Sequence, residues 1–423
     1  MNFTPSRYNY FVPYGENVII FNGISERFFI VNGERACYYK LILDDPMQYA
    51  ADFERFMYKM LEEGFVHEHS VDEKVLIDDK YNALSGNHQY YLMILPTYQC
   101  NVRCWYCVQD HRDLWMSEDT FSKIKTRITK KLDDPEITSF HLSWFGGEPL
   151  LAYSEIVKFT KYARIEAEKR GKAFSCAITS NGILLNSERI EALREAGVNS
   201  YQITIDGTRD MHDKIKQIAN RSAFDVSMRN INELARHTQC VLRFNYTHEN
   251  LKPNEIISNI NERISFESRK NITFMMFKVW QEGESKIDPN AVDSLFQQGR
   301  DIGLRSLLPR CGMCYADFNH FDCIFPDGSC EKCDNESPLA AKGRLTEDGN
   351  IEWSTNVTAL HTPVYKTSET ECETCKYLPM CWGPCEAKRE SMLREVGRIH
   401  CYRKDKDEYM FGMIRNIVKN ETK

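Results

Sequence analysis

Residues 90–107 read YYLMILPTYQCNVRCWYC. The first six form an apolar, aromatic run of strand length that ends at Pro96. Three cysteines, Cys100, Cys104 and Cys107, follow at once. Loops at the C-terminal ends of parallel strands are where βα enzymes hold their sites. Thiolates grouped on one short loop suit an iron–sulfur cluster or a zinc ion. Structural zinc takes four ligands, and the nearby Asp110 and His111 would be unusual partners. A cubane cluster has four irons, so three cysteines leave one iron open for chemistry.

Working outward, the strand at 90–95 is the first of a series. Apolar runs recur at 139–145, 174–179, 200–205, 240–246 and 272–279, and amphipathic stretches at 117–131, 153–169, 187–196, 222–236 and 288–300 separate most of them. This alternation predicts a parallel sheet or a βα barrel. About six repeats are too few for a closed eight-stranded barrel. The expected α/β core is therefore an open, partial (β/α)6 barrel over 86–300. Residues 1–85 read as a small α+β, winged-helix-like module. Its β-rich runs at 17–21 and 27–31 predict a hairpin, helices are expected at 34–43 and about 49–63, and 82–87 reads as a linker. Beyond about 300 the repeats stop, and 301–423 reads as a cysteine-rich domain ending in a helix over 404–418.

Composition sets the class. The chain has 423 residues, 42% hydrophobic and 27% charged, as in ordinary multidomain globular proteins. A net charge of -7 argues against a general nucleic-acid binder. No apolar run approaches the roughly 18 residues of a membrane span. The opening MNFTPSRYNYF lacks the apolar region of a secretory signal. The expectation is a cytoplasmic protein with no membrane or nucleic-acid partner. Disulfides are disfavoured there, so the 16 cysteines, ten of them between Cys311 and Cys401, point to metal or cluster ligation.

The loop at 100–107 resembles the CX3CXΦC signature of the radical S-adenosylmethionine (radical SAM) enzymes. In that family SAM chelates the open iron, and an electron from the reduced cluster cleaves its sulfonium. The products are methionine and a 5′-deoxyadenosyl radical that abstracts a substrate hydrogen. The resemblance implies that Cys100, Cys104 and Cys107 hold the cluster and that Tyr106, at the Φ position, packs near the adenine. Gly146-Gly147-Glu148 is similar to the family's GGE, whose carbonyls and acid meet the SAM amino group. Thr179-Ser180-Asn181-Gly182 resembles the element that bonds the ribose or carboxylate. Thr204-Ile205-Asp206-Gly207 is similar to the family's SLDG, with the hydroxyl kept. Arg243 and Asn245 resemble polar groups that face SAM, and Arg suits a carboxylate because its fork bonds both oxygens. The resemblance covers about 90–280.

The later cysteines resemble a second pattern. Cys314-X13-Gly328-X4-Cys333, then Cys372-X2-Cys375-X5-Cys381-X3-Cys385, then Cys401 is similar to the SPASM extension, which carries two auxiliary [4Fe–4S] clusters. With the radical SAM cluster, the resemblance implies three [4Fe–4S] clusters. Seven cysteines leave two cubanes one short, and Cys311, Cys323 and Cys330 are spare. Cys311 is favoured, since Cys311-X2-Cys314 can span two irons. The family pattern then assigns Cys311, Cys314, Cys333 and Cys385 to one cluster and Cys372, Cys375, Cys381 and Cys401 to the other. A zinc ribbon also uses CX2C pairs. Cys323 and Cys330 read as packing residues, and Cys37, Cys176 and Cys240 as buried small hydrophobes.

SPASM enzymes mostly modify peptides and proteins. Residues 1–85 resemble the leader-binding module of enzymes that mature ribosomally made peptides, which capture the leader by strand addition. The reading is a peptide maturase whose partners are a leader-bearing precursor and a one-electron donor such as flavodoxin or ferredoxin. The bond it makes, a thioether or another crosslink, is left open. The alternative is an anaerobic sulfatase-maturing enzyme, which forms formylglycine. Asp334, directly after Cys333, matches the position of that group's proposed base, whereas 335–337 depart from its aromatic continuation and 99 residues precede the first cysteine of the loop. From another class, a non-catalytic iron–sulfur electron carrier would need none of the SAM-site elements.

Overall fold

The computed structural model describes residues 2–109, 111–279, 281–282, 287–307, 312–334, 343–354, 363–366, 370–401 and 406–421. The chain forms two compact units, each built from separated stretches. One comprises Met1–Asn87, Arg310–Asn319 and Thr358–Lys423, and the other His88–Pro309 and His320–Val357. The cysteine-rich stretch over 301–423 is thus shared between them.

In the first unit, β1 (Phe3–Pro5) pairs antiparallel with β5 (Val66–Glu68), and β2 (Asn9–Tyr14), β3 (Asn17–Asn22) and β4 (Phe28–Asn32) form an antiparallel meander. The expected hairpin is β3–β4. Strand β2 was not expected; its Pro13 is tolerated because β2 lies at an edge of its sheet. Asn32 caps the helix Gly33–Asp44 by accepting from the Arg35 amide at 2.9 Å. The single helix expected at 49–63 is two, Pro46–Tyr49 and Glu54–Glu62. The expected linker at 82–87 begins as the last turn of the helix Glu73–Ser85. The last helix is Lys406–Glu421.

The second unit holds the barrel. Strands β6 (Gln89–Ile94), β7 (Ser139–Trp144), β8 (Ala173–Ser180), β9 (Ser200–Ile205), β10 (Gln239–Tyr246), β11 (Ile272–Lys278) and β12 (Arg305–Leu307) lie side by side and parallel. The expected six strands are present, and β12 adds a short seventh just past the point where the repeats were expected to stop. Beyond β6 the sheet continues with β13 (Phe321–Ile324), parallel to β6, then β14 (Ser329–Glu331), β15 (Gly343–Leu345) and β16 (Ile351–Trp353), all antiparallel. The row has two ends, so the barrel is open. Each crossover carries a helix, as parallel pairing requires. One of them, Pro253–Arg263, was not expected.

Alternation within the strands separates two faces. Leu92, Ile94, Leu142, Trp144, Ile178 and Ile203 are buried against the helices in one continuous core. Burying each such side chain contributes about 1.5–3 kcal/mol. The opposite face carries Tyr91, His141, Ser175, Thr179, Gln202, Thr204 and Arg243, which are only partly buried. Pairing of Ile94 with Trp144, Trp144 with Ile178, Ser180 with Ile203 and Ile205 with Phe244 brings the carboxyl ends of β6–β10 to one rim. Among the described residues no helix is long and apolar enough to cross a membrane.

A buried ion pair ties the helix Glu118–Leu132 to β13. Arg127 donates from Nε (2.7 Å) and Nη2 (3.0 Å) to the two oxygens of Asp322. Burial alone would raise the Asp322 carboxyl, but Arg127 outweighs it and holds it below the usual carboxylate range. This contribution is full above the unfolded carboxylate value near pH 4 and fades as pH falls below it. Arg127→Met leaves Asp322 buried and unpaired, so denaturant unfolding at pH 7 is expected to show a loss of about 3–5 kcal/mol.

Candidate functional site

The site elements expected over 90–280 gather at the carboxyl rim of β6–β10. Beyond β6 the chain enters the cysteine loop, where Thr97 Oγ1 accepts from the Gln99 amide (3.0 Å) and donates to the Leu114 carbonyl (2.9 Å). The Cys107 amide donates to the Cys104 carbonyl at 3.0 Å. All three thiols are partly buried. Burial pushes Cys100 up to about 12, with Glu148, Cys104 and Cys107 adding to it. Burial also raises Cys104 and Cys107, and the Lys216 ammonium opposes it at both. The thiols are thus held within electrostatic reach of one another, and a metal binding there must displace their protons. An all-sulfur donor set on one loop fits an iron–sulfur cluster.

The two glycines after β7 seat this loop. The Gly147 amide donates to the Thr97 carbonyl (3.1 Å) and the Glu148 amide to the Gln99 carbonyl (2.8 Å). A Cβ on Gly147 would lie 2.2 Å from the Gln99 carbonyl oxygen, and one on Gly146, whose φ is +114°, would lie 2.6 Å from that of Thr97. The glycines therefore let the cysteine loop itself approach. Glu148 is fully buried. It accepts from Ser180 Oγ (2.8 Å), the Leu150 amide (3.1 Å) and the Asn181 amide (2.9 Å). Burial, partly offset by these bonds, pushes its carboxyl up to about 7. Asn181 Nδ2 donates to Asn101 Oδ1 (2.8 Å) and reaches Cys100 Sγ at 3.9 Å. Glu148, Ser180 and Asn181 thus join the ends of β7 and β8 to the cysteine loop.

A second network crosses from β10 to β9. Arg243 Nε donates to Asn245 Oδ1 (3.0 Å), and Asn245 Nδ2 donates to the Tyr106 hydroxyl (3.2 Å). That hydroxyl donates to Asp206, which also accepts from Lys216. Asp206 is fully buried and Lys216 is 2% exposed. Burial alone would raise the Asp206 carboxyl and lower the Lys216 ammonium, but their mutual attraction outweighs both, so the pair stays charged. The Asp206 amide donates to His212 Nδ1 at 3.1 Å. Burial pushes His212 down to about 3, so the ring is neutral. Thr179, Thr204 and Arg243 stand on the polar face.

Asp334 lies beside the same loop. Gln109 Nε2 donates to its carbonyl (3.1 Å), and Cys333 Sγ lies 3.6 Å from its Oδ1. In the other unit, burial pushes the Cys372 thiol up to about 12, with Cys381, Cys375 and Cys401 adding to it, so these four cysteines are within electrostatic reach. Among the described residues, no three His, Cys, Asp or Glu side chains already converge on a single-ion site. Cys311 lies outside the described residues, as does 335–337. Cys314 and Cys385 belong to the first unit and Cys333 to the second. Cys323, Cys330, Cys176 and Cys240 are buried, as expected of packing residues. Cys37 is exposed, against expectation: it lies on a helix whose buried residues are Ala36, Ile42 and Leu43.

Residues 94–257 match the model of the Radical SAM superfamily. This part of the chain is a radical SAM domain. Among curated relatives, the GTP 3',8-cyclase of Alkaliphilus oremlandii (strain OhILAs) is 31% identical over 153 residues, 34% of this chain and 43% of that protein. The Fe-coproporphyrin III synthase of Methanosarcina barkeri (strain Fusaro / DSM 804) is 26% identical over 160 residues, 37% of each chain. The chain spans less than half the length of these two relatives. Native anSMEcpe with bound AdoMet shares the fold with TM-score 0.60 and 17% identity, over 78% of this chain and 99% of that one. Streptococcus suis SuiB bound to S-adenosylmethionine does so with TM-score 0.51 and 15% identity, over 95% of this chain and 99% of that one.

Sequence reasoning missed Lys216 and His212 in the radical SAM domain. The stretch 209–216 alternates charges and reads as a solvent face. Only its packing against Asp206, just after β9, and against the helix Ala223–Leu234 buries them. Lys216→Met would strand Asp206 as an unpaired buried charge, and its expected cost is about 3–5 kcal/mol. The double variant Asp206→Asn/Lys216→Met removes both charges and should recover most of that loss in the same denaturant titration.

Proposed function

We propose that this chain is a radical SAM peptide maturase, acting on a ribosomally made precursor whose leader docks on residues 1–85. When bound, a [4Fe–4S] cluster at Cys100, Cys104 and Cys107 would supply the electron that cleaves SAM to methionine and a 5′-deoxyadenosyl radical. The chain's own residues divide into two groups. Glu148, Ser180, Asn181 and Asp206 spend their hydrogen bonds on shaping the cysteine loop and the strand ends. Thr179, Thr204, Arg243, Asn245 and Tyr106, with the Gly146 and Gly147 carbonyls, would orient SAM. The Arg243 fork suits its carboxylate. The rim is where a peptide would reach it, and excluding bulk water there protects a reactive species from side reactions. Cytoplasmic placement and a flavodoxin- or ferredoxin-like donor belong to the same reading.

The observation that carries the peptide assignment is the open edge of β4. Among the described residues β4 pairs only with β3, while β2, at the other edge of the sheet, lies against the helix Lys406–Glu421, from which Arg415 donates to the Pro13 carbonyl at 2.9 Å. An unpaired edge is a template for an added strand. Ile30 on β4 and Tyr38 and Leu41 on the next helix are exposed at 37%, 60% and 58%, apolar surface that a leader would cover. Solved relatives in fold include SuiB bound to precursor peptide SuiA and anSMEcpe bound to AdoMet and Kp18Cys peptide. For the remaining cysteines we propose a SPASM arrangement, with Cys311, Cys314, Cys333 and Cys385 holding one auxiliary cluster and Cys372, Cys375, Cys381 and Cys401 the other. The second reading, formylglycine formation, is favoured by Asp334, whose place beside Gln109 of the cysteine loop suits a base near the reacting carbon.

Two experiments test this. Anaerobically reconstituted protein should hold about twelve irons per chain and form 5′-deoxyadenosine from SAM under a strong reductant. The Cys100→Ala/Cys104→Ala/Cys107→Ala variant should hold about eight irons and form none; normal 5′-deoxyadenosine from it would overturn the site. Tyr38→Asp/Leu41→Asp should weaken binding of a leader-bearing precursor at least tenfold by fluorescence anisotropy. Unchanged affinity would remove the docking claim and leave the formylglycine reading, for which a short cysteine peptide is the assay substrate.

A further inference from the structure

The expected module at 1–85 shares one hydrophobic core with the C-terminal cysteines. Tyr8, Tyr10, Phe21, Ile77 and Tyr81 are buried in the same cluster as Tyr377, Leu378, Trp382 and Ile414, and Cys375 and Cys381 pack against it. The contacts concentrate on the loop that carries Cys372 and Cys375. The Tyr10 ring stacks on Tyr377 with centroids 5.2 Å apart, and its hydroxyl donates to the Lys376 carbonyl. Arg7 Nη2 donates to the Glu373 carbonyl at 3.2 Å, and Lys74 Nζ meets the Glu373 carboxylate at 3.2 Å. Tyr81 packs edge-on against Trp382 at 5.5 Å, one residue after Cys381. The Glu373 carbonyl within the Cys372-X2-Cys375 turn and the Lys376 carbonyl just after it are thus anchored by donors 366 residues away in sequence.

A short CX2C turn cannot hold its shape alone. Its few backbone bonds, such as the Cys375 amide to the Cys372 carbonyl at 3.2 Å, leave its outer carbonyls to whatever packs on them. Groups that orient a metal-binding loop without touching the metal raise its affinity by about 10–100-fold. We propose that Tyr10 and Arg7 are positioning residues of the C-terminal metal site, so that the N-terminal sheet forms the outer wall of the site at Cys372, Cys375, Cys381 and Cys401. This rests on the reading that those four cysteines bind a cluster. A binding event that stabilises only the folded arrangement stabilises everything folded with it. Cluster loading and the order of the N-terminal sheet are therefore one linked equilibrium, and residues 1–85 are more than a docking platform.

The test uses the full chain in the Cys100→Ala/Cys104→Ala/Cys107→Ala background, where the remaining iron belongs to the later cysteines. Tyr10→Phe/Arg7→Met keeps the ring stack and the apolar stems but removes both donors. Release of iron to a chelator should be at least tenfold faster than in the parent, with altered electron paramagnetic resonance of the reduced protein and unchanged far-ultraviolet circular dichroism. Tyr10→Phe alone should lie between. Parent-like release and spectra would overturn the inference. Cys372→Ala/Cys375→Ala separates the two ideas. If it leaves the iron content of the same background intact, the cluster reading and the inference both fail; if it lowers the iron but Tyr10→Phe/Arg7→Met does not speed release, only the inference fails.

Discussion

The radical SAM domain depends on one close approach. The Gly147 Cα and the backbone of Tyr98 and Gln99 pass so near that a Cβ would lie 2.4 Å from the Tyr98 carbonyl oxygen. That approach lets two amides after β7 donate to two carbonyls before the first cysteine, which clamps the cysteine loop across the ends of two strands. Parallel pairing supplies the rest, since every strand in register delivers its carboxyl end to the same rim. A loop of partly buried thiols needs such a clamp, because nothing in a free chain would keep them together.

Charge is managed in the same economical way. The buried groups around the loop are Glu148, Asp206 and Lys216, and each is paired or hydrogen-bonded. Burying an unpaired charge costs several kcal/mol. The pairing is therefore also positioning: Asp206 holds the Tyr106 hydroxyl because Lys216 keeps it ionised, and Glu148 holds Asn181, which reaches the Cys100 sulfur. The polar face of the strands carries hydroxyl groups such as Thr179 and Thr204, with Arg243 beside them.

The first unit follows a different logic. Its antiparallel sheet is small, and small sheets stabilise themselves poorly. It borrows apolar partners from the end of the chain, so Tyr10 and Tyr377 belong to one core although most of the sequence lies between them. A module defined by sequence continuity and a unit defined by packing are then not the same object. Excising residues 1–85 would expose the surface that Leu378, Trp382 and Ile414 now bury.

Local pattern was enough for much of this. Short apolar runs alternating with amphipathic stretches set the six expected strands to within two residues at each end, because strands packed against helices must bury apolar side chains. The spacing of Cys100, Cys104 and Cys107 and the strand before them determined the class of chemistry, because ligands on one short loop are local in sequence. What the sequence by itself could not determine was where long-range packing places a polar side chain. Lys216 reads as a surface lysine and is buried, and Cys37 reads as buried and is exposed. Those outcomes turn on partners tens to hundreds of residues away, and only the tertiary structure decides them, because burial and pairing are properties of what a residue packs against.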